Sequence, residues 1–571
     1  MNGTLAPSGS RPAAPGRMAT GIAGLDYLLE GGLVRGNSLL IEGPPGSGKS
    51  TLGVRILYEG AVQFDEPGLI ISFEEFPRQI YEESLSYGLD LRALEEAGKL
   101  RVVWTSPARI LEGFRGKNDL IEKIIADLGV RRLLIDSITH FRRVSNAEVD
   151  LREMLAGLLN VLKIKGVNAL MVKELERMDE ATIAFEEYLV DASLRVHNMP
   201  GALTAGHQRF LEIRKTRGQG HISGFHPLAF TPAGLKVFPN WRPQDVGAFF
   251  ADSATPHGAI RPADRIPTGI EGLDAMLAGG LQPGSVNIVN GLSGTGKSVV
   301  GYHFLNAGLE AGENCLLVNY RMPLDQITAQ AASLGMDWRR PIDEGRMEIL
   351  RYHTVNLCVE EMMDDLIQRL RGRRIARFFF DGIDDLWMAV RNDERARDDV
   401  DLIGHLFRTR GATTLMTHER SVTAAASSSG AGQDYAGMAN TIIQLSMAES
   451  DGEIRRFVGV WKHAGSEHAK ELREFRIDSA GFHVHNKAAG LSGILTGQTS
   501  GAMKQIADQV LPTLDDTVRM LAAVMEQGKA ADNDDKIARI RANVGLLDIL
   551  LREHFGETQF RKLAEEMTQN P

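Results

Sequence analysis

Short blocks of consecutive apolar residues recur along the chain, separated by longer stretches in which apolar residues return every three or four positions. In the first half the blocks are Ser38-Leu39-Leu40-Ile41-Glu42, Gly68–Phe73, Arg132–Ser137 and Asn168–Lys173. A block this short, apolar on successive rather than alternate positions, suits a strand buried on both faces. Between the blocks, Thr51–Ala61 and Leu151–Leu162 carry the helical period. This alternation predicts an α/β fold with a doubly wound, mostly parallel sheet and a ligand crevice at its carboxyl edge. From Leu194 to Phe238 the pattern shifts to segments broken by Gly and Pro, which predicts antiparallel hairpins. The second half repeats the scheme, with strands expected at Ser285–Asn290, Cys315–Tyr320 and Phe378–Asp381 and a helix over Val299–Leu309.

The repetition extends to individual residues. Thr20-Gly21-Ile22-Ala23-Gly24-Leu25-Asp26 returns as Thr268-Gly269-Ile270-Glu271-Gly272-Leu273-Asp274. Gly43-Pro44-Pro45-Gly46-Ser47-Gly48-Lys49-Ser50 returns as Gly291-Leu292-Ser293-Gly294-Thr295-Gly296-Lys297-Ser298, at the same spacing. Both fit G-x-x-x-x-G-K-[ST], set between a strand and a helix. The glycines let successive backbone N–H groups turn toward one small anionic volume, and the helix adds its positive end. Lys49 and Lys297 can reach the outer phosphates of a nucleotide such as ATP, while Ser50 and Ser298 can ligate Mg²⁺. Thr51 follows at the first helical turn. Repeat units this long are whole domains. We expect a tail at 1–16, one domain at 17–240, a Pro-bearing linker at 241–265, a second domain at 266–500 and helices over 501–571.

The strand tips carry the remaining chemistry. Gly68–Phe73 runs into Glu74-Glu75, which is either a solvated strand end or a carboxylate pair that orients and deprotonates water beside a γ-phosphate. Arg132–Ile135 runs into Asp136, placed to handle Mg²⁺. Lys215 and Arg217 share one face of a strand, as a solvated edge or as a basic pair presented to phosphate on a neighbouring subunit. In the second half Phe378–Phe380 runs into Asp381, but Cys315–Tyr320 runs into Arg321-Met322, with no carboxylate pair. An arginine cannot accept a proton from water. Lys462 is present there, with Ala464 where a second cation would stand.

Composition narrows the class. With 43% hydrophobic residues the chain can bury two large cores. Its 64 basic and 74 acidic residues give a net charge of −10, which argues against nucleic acid as the general partner. Two cysteines, Cys315 and Cys358, make neither a disulfide framework nor a metal site. No apolar run approaches a membrane span and the first residues lack the apolar core of a secretion signal, so a cytoplasmic setting is expected.

Taken together, Thr20–Asp26, the Gly43–Ser50 loop, Ser72-Phe73-Glu74-Glu75, Ile135-Asp136-Ser137, Phe185-Glu186-Glu187-Tyr188 and Leu211-Glu212-Ile213 followed by Lys215, Arg217 and Gly218 resemble the KaiC family of tandem RecA-like ATPases, over residues 17–490. The resemblance implies two RecA-like P-loop domains, a hexameric ring with ATP between subunits, Glu74 and Glu75 as the catalytic carboxylate pair, and Lys215 and Arg217 acting in trans. In the clock members the second domain also phosphorylates an adjacent Ser-Thr pair; that pair falls on Ala436-Gly437, which have no hydroxyl. Ser427-Ser428-Ser429 and Thr423 lie upstream.

The expected function is therefore an ATP-driven oligomeric switch, with hydrolysis in the first domain and binding for assembly in the second. The alternatives are an autokinase, a RecA-like DNA motor, for which no basic aromatic loop is evident, and a scaffold that only binds nucleotide. In the last segment Ile537, Ile540, Val544, Leu547 and Leu551 form one apolar seam, and Met503, Ile506, Val510, Leu514, Val518 and Leu521 another. They suit a hairpin packed on the ring, or a coiled-coil or partner-binding tail.

Overall fold

The computed structural model describes residues 16–113, 120–144, 148–175, 185–199, 209–231, 234–251, 265–390, 392–419, 435, 437–450, 453–487, 491–492, 500–501, 517 and 537–545. Two nine-stranded sheets organise it. In the first, strands lie in the order Gly234–Val237, Phe225–Thr231, Arg209–Thr216, Ala192–Asn198, Ser38–Gly43, Asn168–Glu174, Arg132–Asp136, Gly68–Ser72 and Leu100–Trp104. The phosphate-loop strand Ser38–Gly43 is central and pairs in parallel with both neighbours. The strands from Ala192 onward pair antiparallel, as the hairpin pattern predicts. The second sheet repeats this order around Val286–Asn290. Both domains are thus tandem RecA-like α/β units.

The pleat explains the consecutive apolar runs. Leu39, Ile41, Ile70, Leu134 and Leu170 enter one core. Leu40, Leu69, Ile71, Leu133 and Ile135 enter another on the opposite face. Alternate side chains of one strand feed two cores, so no position is free to be polar until the strand ends.

The repeated N-terminal motif is a staple. Asp26 Oδ1 accepts hydrogen bonds from Thr20 N at 2.6 Å and Thr20 Oγ1 at 2.7 Å. Asp274 accepts the same pair from Thr268 at 2.7 and 2.8 Å. A buried arginine also recurs at the start of each Asp-bearing strand. Arg132 binds Glu66 at 2.7 Å and the carbonyl of Ile56 at 2.8 Å. Arg377 binds Glu313 at 2.6 Å and the carbonyl of Phe304 at 2.8 Å.

The boundaries differ from expectation after residue 240. Residues 243–251, read as linker, form a helix, Pro243–Ala251, with Val246 and Phe250 buried. Trp241 is buried too; its ring lies tilted against Tyr27 and meets Phe249 edge to face. Proline here starts a helix, where its missing N–H costs nothing. The first compact unit runs to Ala254 and includes residues 353–373 and 386–406; the second holds the rest. The tail at 1–15, residues 252–264 of the linker, Thr423, Ser427–Ser429, Ala436 and most of 501–571 lie outside the described residues. Residues 537–545, which carry Ile537, Ile540 and Val544, are helical. No described helix is long and apolar enough to cross a membrane.

Candidate functional site

The strand Ser38–Gly43 delivers the chain to the phosphate loop, and the helix Lys49–Gln63 leaves it. The turn depends on backbone that only glycine adopts easily. Gly48 caps the helix at φ 97°, and a Cβ there would lie 2.5 Å from the Phe230 ring. Gly46 has φ 72°. Ser47 is fully buried, and its hydroxyl has no partner among the described residues.

A cleft of about 450 Å³ opens at the carboxyl edge of the sheet. Gly46, Gly48, Lys49, Ser50, Thr51, Asp136, Glu74 and Glu75 all line it. Lys49 Nζ donates to the Pro44 carbonyl at 2.7 Å. Burial lowers its pKa, opposed by the charges of Glu174 and Asp136. Asp136 accepts a hydrogen bond from Ser50; burial raises its pKa against that bond and the nearby lysine. A hydroxyl and a carboxylate side by side are hard oxygen donors that would suit Mg²⁺.

The two glutamates are held differently. Glu74 Oε1 lies 2.8 Å from His140 Nε2, a ring on the short helix Ile138–Arg143. Glu75 is positioned by its backbone, whose N–H donates to Ser72 Oγ at 3.1 Å. Burial raises the Glu75 pKa, and the charges of Glu83, Asp136 and Glu74 push the same way.

Lys215 and Arg217 do not line this cleft. Lys215 Nζ donates to the carbonyls of Glu187 at 2.7 Å and Val190 at 2.8 Å, and Arg217 donates to that of Tyr188 at 2.8 Å. Both hold the end of the helix Phe185–Leu189.

Glu174, Arg209, Phe230 and Tyr87 are among the lining residues that the sequence reading does not single out. Glu174 is the last residue of its strand, one beyond the block ending at Lys173. The same strand-tip rule that found Asp136 applies to it. Arg209 lies over the Phe230 ring at 5.3 Å, and its buried Nε has no partner among the described residues. Tyr87 meets Phe230 at 6.0 Å. This aromatic wall comes from hairpin and loop positions, which hydrophobic period does not mark.

The second repeat rebuilds most of these parts. Gly294 and Gly296 take φ 78° and 102°, and Thr295 Oγ1 donates to the Leu292 carbonyl at 2.8 Å. Lys297 Nζ donates to the carbonyls of Gly291 at 2.8 Å and Leu292 at 2.9 Å. Asp381 accepts from Ser298 and, at 2.7 Å, from Thr417; burial raises its pKa. Burial also lowers the Lys297 pKa, against Glu419, Asp384 and Asp381. Where the first repeat has Glu74, Arg321 Nε donates to Asp385 at 3.0 Å. Lys462 lies on the strand Glu453–His463, opposite Ile442.

Comparison with known proteins finds the same two repeats. The family model described as the KaiC ATPase matches twice, at residues 18–242 and 266–489. The circadian clock oscillator protein KaiC of Acaryochloris marina is 28% identical over 491 residues, 84% of this chain and 91% of that protein. That of Synechococcus elongatus is 29% identical over 499 residues, 86% of this chain and 92% of that protein.

Proposed function

The chain belongs to the KaiC family of ATPases, and from that premise we propose that its first repeat hydrolyses ATP while its second binds ATP without turning it over. The observation that carries this reading is the convergence of Lys49, the Ser50–Asp136 pair and the Glu74-Glu75 pair on one cleft, with only the glutamates missing from the second repeat.

In the first cleft the loop N–H groups and Lys49 hold the phosphates. Ser50 and Asp136 hold Mg²⁺, which when bound offsets phosphate charge. Tyr87, Phe230 and Arg209 form a wall for the base, with the guanidinium supplying a buried donor. Glu74, fixed by His140, orients the attacking water. Glu75, whose proton affinity is raised by its surroundings, takes the proton.

Lys215 and Arg217 act on the nucleotide of an adjacent subunit, since they stand outside their own cleft. That makes the active assembly a homo-oligomer, a six-membered ring on its resemblance to KaiC. Exposed Phe76 and Trp104, at 55% and 49%, supply apolar surface for a second copy. Bound ATP in the second repeat stabilises the assembly through binding alone. The assembly serves as a nucleotide-driven switch for a regulatory protein in the cytoplasm.

The test is steady-state ATP turnover of the full chain beside the Glu74→Gln/Glu75→Gln variant. Turnover is expected to fall by about 100-fold or more. Turnover that survives the double change would place the chemistry elsewhere.

A further inference from the structure

The strand Cys315–Asn319 ends as its counterpart Gly68–Ser72 does. Asn319 Oδ1 accepts from Met322 N at 2.9 Å, just as Ser72 Oγ accepts from Glu75 N at 3.1 Å. Tyr352 N donates to the Asn319 carbonyl at 3.1 Å, and Thr105 N to that of Ser72 at 3.2 Å. These bonds fix Arg321 at the place of Glu74. The partner also keeps its place, because His140 follows Asp136 at the same interval at which Asp385 follows Asp381. A carboxylate held by an imidazole in one repeat is a guanidinium held by a carboxylate in the other.

Arg321 therefore stands where the first repeat aims at the outer phosphate. Its side chain is 60% exposed, while Asp385 beneath it is buried. A guanidinium at this point has no use as a base, but its planar fork matches phosphate oxygens.

We propose that Arg321 is a ligand for the terminal phosphate of a nucleoside triphosphate in the second repeat, exchanging Asp385 for phosphate on binding. The site then distinguishes triphosphate from diphosphate and retains the triphosphate intact. A terminal phosphate carries more charge than one carboxylate, so it competes effectively for the arginine. Asp385 keeps the cation positioned until then. This inference rests on the reading that the second repeat binds nucleotide.

The experiment uses the full chain carrying Lys49→Ala, so that the second cleft is the one read. Equilibrium binding is measured with the β,γ-imido analogue of ATP and with ADP. Arg321→Ala is expected to weaken the analogue about tenfold or more and ADP by less than about twofold. Arg321→Lys, a cation without the fork, is expected to fall between. Equal losses for both nucleotides, or no loss, would overturn the proposal. Asp385→Asn, which frees the arginine, is expected to tighten the analogue severalfold; weaker or unchanged binding would count against it. Should the Lys49→Ala chain bind neither nucleotide, with Lys297→Ala making no difference, nucleotide binding by the second repeat fails, and the arginine's role with it. Retained binding without discrimination between the nucleotides removes the arginine's role alone.

Discussion

The two strand tips, Ser72-Phe73-Glu74-Glu75 and Asn319-Tyr320-Arg321-Met322, share a backbone and differ in charge. Each tip bonds to its own first polar residue and to the next strand in the same way. Each carries an ionic side chain facing a partner on the segment after the Asp-bearing strand. The fold keeps the address of the group, and the side chain sets its charge: a carboxylate beside an imidazole in one repeat, a guanidinium beside a carboxylate in the other. Exchanging a carboxylate for a guanidinium therefore need not loosen a strand tip, because Arg321 and Asp385 satisfy each other as Glu74 and His140 do.

The strongest way to break this contrast is to remove each loop lysine in turn. Lys49→Ala is expected to lower ATP turnover by about 100-fold or more, whereas Lys297→Ala leaves turnover within about twofold and loosens the oligomer, seen by sedimentation with ATP. Comparable losses of turnover would erase the division of labour.

The contact that orients Glu74 offers a smaller lever. His140→Ala is expected to lower kcat about tenfold with little change in KM, because it frees a carboxylate without touching the phosphates. His140→Gln, which can still donate to Glu74, should recover part of the rate. A loss confined to KM would make His140 a structural residue only.

The last effect is on stability of the first unit and leaves turnover aside. His226 is buried, with Nε2 facing the Ile222 carbonyl at 3.2 Å and Nδ1 accepting from Asn240 N at 3.0 Å. Burial lowers its pKa to about 4. The folded unit thus excludes a proton that the unfolded chain accepts below about 6.5. This contribution is present above that pH and is lost as pH falls toward 4, by up to ~3 kcal/mol. Thermal melts of the wild type between pH 7 and 5 should fall more steeply than those of His226→Gln. Parallel slopes would show that the imidazole is not held neutral.

The parts of this molecule that read directly from sequence are those where one residue type is physically required. Gly48 must adopt positive φ against Phe230, and Lys49 must follow it, so the loop is visible in both repeats. Strands such as Leu133–Ile135 supply two cores at once, so polarity marks their ends, and Asp136 and Glu74 stand out there. Glu174 was missed by one residue of strand length. His140 and Asp385 acquire meaning only when the segment after each Asp-bearing strand folds back to the neighbouring tip. Arg209 and Phe230 come from two paired hairpin strands and Tyr87 from the end of the helix Pro77–Ser86, a meeting that no local spacing encodes. Trp241 and the helix Pro243–Ala251 were obscured because prolines that open a helix look, in sequence, like those of a linker.

The buried arginines have a further consequence. Arg132 and Arg377 each clasp a carbonyl in the helix that springs from a phosphate loop, those of Ile56 and Phe304. Each helix is thereby pinned to its sheet about two turns from the nucleotide. The entropy of ordering it is settled during folding, so a phosphate meets a rigid cradle. Rigidity at the cradle also confines where motion can originate. The helices act as fixed posts beside the strand tips where Glu74 and Arg321 stand.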